Sequence, residues 1–177
     1  MTGPRSSRTE TSEKAAWIAA ALGRFEGSLI RYATRIVGDS GRARDVVQDT
    51  FLELWRADEA AVSTKLAPWL YTVCRNRALD VARKEQRMQP SSQLDALPSR
   101  GSPEAPHTAA VRHQSAQQVL DALEGLPERQ QEVVALKFRE GLSYREIAEV
   151  MELSVSNVGY LLHTALAAVR EQVGGEA

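Results

Sequence analysis

The sequence predicts an all-α protein of two small helical domains joined by a flexible linker. Apolar residues recur at three- and four-residue spacing in both halves of the chain, as they do on the buried face of a helix. No alternating apolar and polar run bounded by turn residues competes with that spacing, so strands are not expected. Between residues 89 and 112 the periodicity stops, and proline, serine and glycine crowd together as in an extended linker.

These patterns divide the chain of 177 residues into four segments. We expect an N-terminal tail over residues 1–13, disordered as chain ends often are. A first helical domain is predicted over 14–88, the linker over 89–112, and a second helical domain over 113–177. The length suffices for two small domains.

The two domains carry opposite charge, although the whole chain has a net charge of −1. Residues 1–88 hold 15 Lys and Arg against 11 Asp and Glu, a balance of +4. Residues 113–177 hold 5 against 10, a balance of −5. A basic domain approaches nucleic acid favourably because it releases counterions, whereas an acidic domain is repelled by the same phosphates.

Several classes of protein are not expected. Cys74, the single cysteine, lies in an apolar helical stretch, which favours an inert core thiol over a redox or metal-binding role. Neither a signal peptide nor a membrane anchor is recognisable, so a cytoplasmic protein without membrane insertion is expected. No metal-ligand cluster, phosphate-cradling glycine loop or nucleophile–base pair appears; we therefore expect no catalytic residue, metal or cofactor, and no enzyme.

The first domain is predicted to form three helices. Gly38 marks the end of the first and Asp39 the N-cap of the second. After a polar break the third helix is expected to begin near Pro68, because a missing N–H costs nothing in a first turn. The predicted buried residues are Phe25, Leu29, Ala33 and Ile36, then Ala43, Val46, Val47, Thr50, Phe51 and Leu54, then Leu70, Val73, Cys74, Ala78 and Val81.

The second domain is predicted to end in a helix-turn-helix. A complete helix is expected between Pro127 and Gly141, where a left-handed residue would close it. Ser143 and Glu146 then form a capping box for a short helix, and Ser154 caps the next. The angle between the last two helices is expected to be filled by Ile147, Ala148, Val155, Val158, Leu162 and Ala165. Non-binding helix pairs share this spacing, so an ordinary α-hairpin is the alternative.

Three strings in order resemble a known family: DVVQDTFLELW, WLYTVCRNRALDVARKEQR and, after the linker, LPERQQEVVALKFREGLSYREIAEVMELSVSNV. Over about residues 24–173 they resemble the extracytoplasmic-function (ECF) bacterial RNA polymerase sigma factors. The resemblance implies that the first domain is region 2 and the second is region 4. It implies binding to core RNA polymerase, recognition of the minus-ten and minus-thirty-five promoter elements, and help in opening the DNA. The implied partners are promoter DNA and the clamp helices and flap of polymerase, with an anti-sigma factor as a further candidate.

The resemblance also assigns binding residues in the first domain. Polymerase is implied to bind the second helix at Asp45, Gln48, Asp49, Leu52 and Trp55; for Asp49 and Glu53 a merely solvated charged face is an open alternative. The minus-ten element is implied to lie on the third helix and on a pocket loop over residues 63–68. The candidates there are Lys65, Asn76, Asp80, Arg83, Lys84 and Arg87. Trp69 and Tyr71 fit either the core or a wedge against the duplex.

Region 4 departs from the family pattern. Glu152 stands where the turn usually has glycine, and the recognition helix carries no formal charge over residues 154–169. Reading of the minus-thirty-five element is therefore assigned to the first turn of that helix, with phosphate contacts from its neighbours. The candidates are Arg139, Arg145, Ser154, Ser156, Asn157 and Tyr160. His163 is expected to be a surface polar residue rather than a ligand.

Two other functions compete with that of a sigma factor. A sigma mimic would capture an anti-sigma protein without reading DNA; the uncharged recognition helix favours it, and the basic third helix argues against it. A free-standing helix-turn-helix repressor would leave the docking helix unexplained. In a sigma factor a weak region 4 suffices, because docking on polymerase raises its local concentration at the promoter. Whether Gly159 to Leu166 contacts DNA or protein is left open.

Overall fold

The computed structural model describes residues 5–88 and 110–174, and over those residues it contains helices and no strand. The chain divides into two compact units, Met1–Asp95 and Ala96–Ala177. The predicted all-α fold with two helical domains is confirmed. The domain boundaries at residues 88 and 112 stay predictions, and most of the predicted linker lies outside the described residues.

The first unit contains α1 (Arg5–Val37), α2 (Ser40–Arg56), α3 (Glu59–Val62) and α4 (Leu66–Met88), with a 3-10 turn at Ser63–Lys65. Helices α1, α2 and α4 pack on one another. All six residues predicted to be buried on α2 are buried. Gly38 ends α1 with φ 73°, and the Asp39 carboxylate accepts a hydrogen bond from the Arg42 N–H at 2.8 Å. The predicted helix end and N-cap are thus confirmed.

Three expectations for this unit were wrong. The segment expected to be a disordered tail is helical from Arg5, and α1 continues from it into an alanine-rich stretch of high helix propensity that begins at Ala15. Just before that stretch, Lys14 Nζ donates to the Ala57 carbonyl at 2.8 Å. The polar break contains α3, which is capped by Asp58 and anchored by the buried side chain of Val62. Finally, three residues that were expected in the core lie at the edge of the buried face of their helix and are only half-buried: Ile36, Val73 and Val81.

The second unit contains α5 (Ala110–Glu124), α6 (Glu128–Val134), a π-helical segment (Ala135–Arg139), α7 (Tyr144–Met151) and α8 (Val155–Gly174). Helix α5 was not foreseen; it packs against α8 and begins inside the segment expected to be linker. The helix expected between Pro127 and Gly141 forms, but its second half is π-helical. Gly141 closes it with φ 71°, as predicted.

Helices α7 and α8 form the predicted helix-turn-helix. Both halves of the capping box at Ser143 and Glu146 are present, and Ser154 Oγ accepts from the Asn157 N–H at 3.2 Å. Five of the six residues expected between the helices are buried, but Val155 is 45% exposed. Helical side chains tilt toward the N-terminus, so the side chain of the first residue of α8 points beyond the helix. The prediction for Val155 was therefore wrong.

Candidate functional site

Helix α2 exposes two large apolar side chains beside its buried stripe. Leu52 is 47% exposed and Trp55 is 44% exposed. They lie at an open groove of about 470 Å³ between α1 and α2. Each wall consists of residues four apart, which share one helix face. On α1 the row is Ile18, Leu22, Glu26 and Ile30. On α2 there are two rows, Arg44, Gln48 and Leu52 and then Val47, Phe51 and Trp55. An apolar floor with a polar rim is the anatomy of a protein-binding surface.

The five residues assigned to polymerase binding fall on two neighbouring surfaces. Gln48, Leu52 and Trp55 line the α1–α2 groove. Asp45 and Asp49 instead line a second depression between α2 and α4, of about 440 Å³, together with Lys84 and Glu85. The predicted docking residues include the α2 side of the groove and none of its α1 wall. The available signal was the spacing of Ile18, Leu22 and Ile30, which follow one another after four and eight residues and so share one helix face.

Some charged side chains of α2 form ion pairs with other residues of the first unit. Glu53 Oε1 accepts from Arg77 at 2.9 Å and from Arg56 at 3.1 Å, so α2 and α4 are joined at this point. Arg42 pairs with Glu85 in the same way, from the start of α2 to the end of α4. For Glu53 the structural role therefore has direct support, whereas Asp49 remains an exposed carboxylate at the depression.

Helix α4 presents one exposed face opposite its buried residues. Asn76, Asp80, Arg83 and Arg87 follow one another at spacings of four, three and four, and all four are exposed. Arg83 Nη1 lies 3.5 Å from Asp80 Oδ1, an ion pair whose side chains are 66% and 72% exposed. A pair this exposed contributes little to stability and leaves the guanidinium free to bind phosphate. The structure thus brings four of the six minus-ten candidates onto a single stripe.

The other two candidates, Lys65 and Lys84, are exposed but lie off that stripe. Lys84 borders the depression between α2 and α4. Lys65 ends the 3-10 turn that leads directly into α4. The loop conformation expected over residues 63–68 was wrong, because that segment is a helical turn followed by the first residues of α4; its role in holding a base stays a prediction.

The aromatic residues at the start of α4 take different roles. Tyr71 is 1% exposed and meets Tyr32 edge to face, with ring centroids 5.2 Å apart, so it belongs to the core. Trp69 is half-buried and lies two turns before Asn76, on the same helix face. Of the two, only Trp69 is accessible to a ligand.

Cys74 lies in the core of the first unit. Its thiol is 4.0 Å from the Leu29 carbonyl, to which it donates a weak hydrogen bond. Burial raises the pKa of Cys74 to about 12, and a hydrogen bond with Thr50 opposes that rise only in part. A thiol that stays protonated is a poor nucleophile and metal ligand, as expected for a core residue.

In the second unit the minus-thirty-five candidates are exposed on three successive segments: the π-helical segment, α7 and the start of α8. Ser154, Ser156 and Asn157 are exposed, and Tyr160 is 65% exposed. Arg139 and Arg145 are exposed on the π-helical segment and α7. Phe138, which was not among the predicted candidates, is 61% exposed beside Arg139. Gly159 faces the protein, since a Cβ at that position would lie 3.8 Å from the Tyr144 ring, whereas Tyr160 and His163 face solvent.

Other kinds of site have little support in the described ranges. Residues 5–88 and 110–174 contain no helix long and apolar enough to cross a bilayer. In the same part of the chain, no group of three or more His, Cys, Asp or Glu side chains could hold a metal ion. A basic helix and an apolar groove in one unit, and a helix-turn-helix in the other, are typical of a DNA-binding protein that also docks on another protein.

Comparison with known proteins identifies the class. The Sigma-70 region 2 family matches residues 22–88, and the Sigma-70, region 4 family matches residues 116–169. The ECF RNA polymerase sigma factor SigL of Mycobacterium tuberculosis is 31% identical over 146 residues, covering 80% of each chain. The ECF RNA polymerase sigma-E factor of Escherichia coli K12 is 28% identical over 159 residues, covering 85% of this chain and 83% of the relative.

Two solved structures share the fold. The sigma factor RpoE of Bartonella quintana, in complex with the anti-sigma factor NepR, matches with a TM-score of 0.63 and 20% identity, over 88% of this chain and 96% of that one. CnrH, in complex with the cytosolic domain of CnrY, matches with a TM-score of 0.58 and 24% identity, over 90% of this chain and 89% of that one.

The chain belongs to the ECF family of RNA polymerase sigma factors, and it is a promoter-recognising sigma factor. The family and function predicted from the sequence are confirmed. The alternative of a sigma mimic that does not read DNA is not favoured by these relatives.

Proposed function

We propose that this sigma factor binds core RNA polymerase through α2 and the α1–α2 groove and holds the minus-ten element on the exposed face of α4. The first turn of α8 reads the minus-thirty-five element. We expect the chain to supply no catalytic residue and no cofactor, because nucleotide transfer belongs to the polymerase. It acts in the cytoplasm, where polymerase and promoter DNA meet.

The observation that carries the docking proposal is the exposure of Leu52 and Trp55. Large apolar side chains left in water cost free energy on the order of 1 kcal/mol each, and a partner that covers them recovers it. Tryptophan is also enriched among residues that dominate binding energy. Gln48 and Arg44 lie at the same groove and supply the polar rim that such an anchor needs.

The minus-ten proposal rests on the stripe along α4. Arg83 and Arg87 supply cationic contacts to the backbone of a single strand, and Asn76 and Asp80 offer hydrogen-bonding groups to unpaired bases. Trp69 lies on the same face and provides an aromatic surface on which a base can stack. Lys65 and Lys84 add positive charge at the edges of this face.

The minus-thirty-five proposal rests on which residues precede and follow the turn between α7 and α8. In a helix-turn-helix the N-terminal residues of the second helix contact base edges, while the first helix crosses the DNA backbone. The start of the second helix, α8, carries Ser154 as its cap, followed by Ser156, Asn157 and Tyr160. We expect Arg145 on α7 and Arg139 before it to contact phosphates, and such contacts set register without reading sequence.

An anti-sigma protein is proposed as a second partner of the same groove. RpoE and CnrH are each in complex with a protein partner in their solved structures. A partner that covers Leu52 and Trp55 would compete with polymerase for the same anchor residues. Binding of one would then exclude the other.

Substitution of the anchor residues tests the docking proposal. We expect Leu52→Ala or Trp55→Ala to weaken binding to core polymerase at least about tenfold, because about 1.4 kcal/mol of contact energy corresponds to that factor. Affinity is measured by fluorescence titration of labelled sigma factor with core enzyme. Leu120→Ala is the matched control, since Leu120 is 52% exposed on α5 and has no assigned contact. Equal losses for Leu52→Ala and Leu120→Ala would show that the docking surface has been misplaced.

A further inference from the structure

The exposed start of α8 offers an unusual set of groups to the major groove. Tyr160 follows Asn157 by three residues and Ser156 by four, so it lies on the helix face of each of them. The side-chain amide of Asn157 makes no hydrogen bond to the described part of the chain, while its backbone N–H is fixed by Ser154 Oγ at 3.2 Å. Tyr160 is 65% exposed, more than Val155, the other large hydrophobic residue exposed on the helix.

The groups that read G·C pairs are missing from the part of this helix that precedes Arg170. Guanine is read in the major groove by the paired donors of arginine or lysine, and the cytosine amino group is read by aspartate or glutamate. Residues 154–169 contain none of these four amino acids. Arg145 and Arg139 precede α8, on segments that in this motif meet the backbone rather than the bases.

We propose that α8 reads a minus-thirty-five element of A·T pairs, with Asn157 as the residue that selects adenine and Tyr160 as the residue that selects thymine. The Asn157 amide pairs with the N6 amino group and N7 of adenine, as this side chain does elsewhere in major grooves. The Tyr160 ring, on the same face, packs against the C5-methyl group of a neighbouring thymine. The proposal rests on the proposed function, in which the first turn of α8 reads DNA.

Ser156 and Ser154 do not add to this selectivity. A hydroxyl both donates and accepts, so serine is compatible with any base. The oxygen of Ser154 is also engaged by the Asn157 N–H in the helix cap. Discrimination between bases therefore falls to Asn157 and Tyr160.

The test uses polymerase holoenzyme and a promoter library. The minus-ten element is held constant, the upstream element is randomised, and transcribed templates are sequenced. We expect adenine at one upstream position to be favoured over guanine or cytosine by about 5- to 150-fold, the range for one good paired contact. Asn157→Ala removes that preference, Asn157→Arg shifts it to guanine, and Tyr160→Ala removes an adjacent preference for thymine. Gln172→Ala, an exposed amide far along the same helix, leaves the profile unchanged.

Two outcomes would overturn the inference in distinguishable ways. A guanine or cytosine preference that survives Asn157→Ala would refute the assigned readout and leave region 4 as a DNA reader. If no base is preferred at any upstream position, and Arg145→Ala has no effect on any template, the proposal that α8 reads DNA is refuted as well. Arg145→Ala is otherwise expected to weaken all templates to a similar degree, because a phosphate contact carries no sequence information.

Discussion

Glu152 occupies the turn between α7 and α8 in the left-handed conformation, with φ 55° and ψ 47°. Its N–H donates to the Ala148 carbonyl and closes α7. In the described ranges it is the one residue other than glycine with a positive φ. That conformation costs a residue with a Cβ on the order of 1 kcal/mol, so the turn of the motif is kept at the expense of local strain.

Replacing this residue should stabilise the second unit. We expect Glu152→Gly to raise the free energy of unfolding by up to about 1 kcal/mol, because glycine adopts the left-handed conformation without strain. The larger conformational freedom of glycine in the unfolded chain offsets part of that gain. Urea unfolding of the full chain, followed by circular dichroism, measures the change. Glu149→Gly, at an exposed position inside α7, should instead lower stability by about 1 kcal/mol. Equal losses in both variants would contradict the strained turn.

Helix α4 has two faces with separate tasks. Leu70, Cys74 and Ala78 are fully buried and hold the helix against the rest of its unit. The opposite face carries the stripe of Asn76, Asp80, Arg83 and Arg87. Because the docking groove lies between α1 and α2, charges can be removed from the α4 stripe without altering the groove.

Removal of the basic residues should separate DNA opening from polymerase binding. We expect the triple variant Arg83→Ala, Lys84→Ala and Arg87→Ala to abolish promoter opening, because three phosphate-neutralising charges are lost, while polymerase binding stays within about twofold. Permanganate reactivity of unpaired thymines reports opening, and the fluorescence titration reports binding.

A matched control comes from the same helix. Arg77 is engaged by Glu53 and lies off the stripe, so Arg77→Ala should leave opening largely intact. Loss of both opening and polymerase binding in the triple variant would mean that α4, with the depression it shares with α2, is part of the docking surface.

Regular spacing of apolar residues predicted long helices such as α2, but not the short helix α3 or the contacts between helices. The α2 stripe was predicted residue by residue, because 17 residues give several turns of regular spacing. Helix α3 was missed, since a helix of four residues is too short to show a period. At Tyr71 the sequence left core and wedge equally open, and only the edge-to-face contact with Tyr32 decides between them. The α1 wall of the groove depends on how two helices pack, which spacing along one helix does not reveal.

Over the whole chain, charge and chemistry are divided between the two units. The basic first domain carries +4 and the acidic second domain −5, so the second is expected to bind DNA weakly by itself. Attachment to polymerase raises the effective concentration of a weak reader at the promoter, commonly by several orders of magnitude in avidity. In this account the first domain supplies melting and most of the affinity, and α8 supplies register and selectivity.

The measurement that tests this account most directly is run-off transcription from a promoter library with purified sigma factor and core polymerase. The account predicts a specific product only when both proteins are present, starting downstream of a shared pair of elements. It also predicts that the sigma factor alone shows no tight promoter binding at physiological salt. No promoter-dependent product from any template would contradict the central claim.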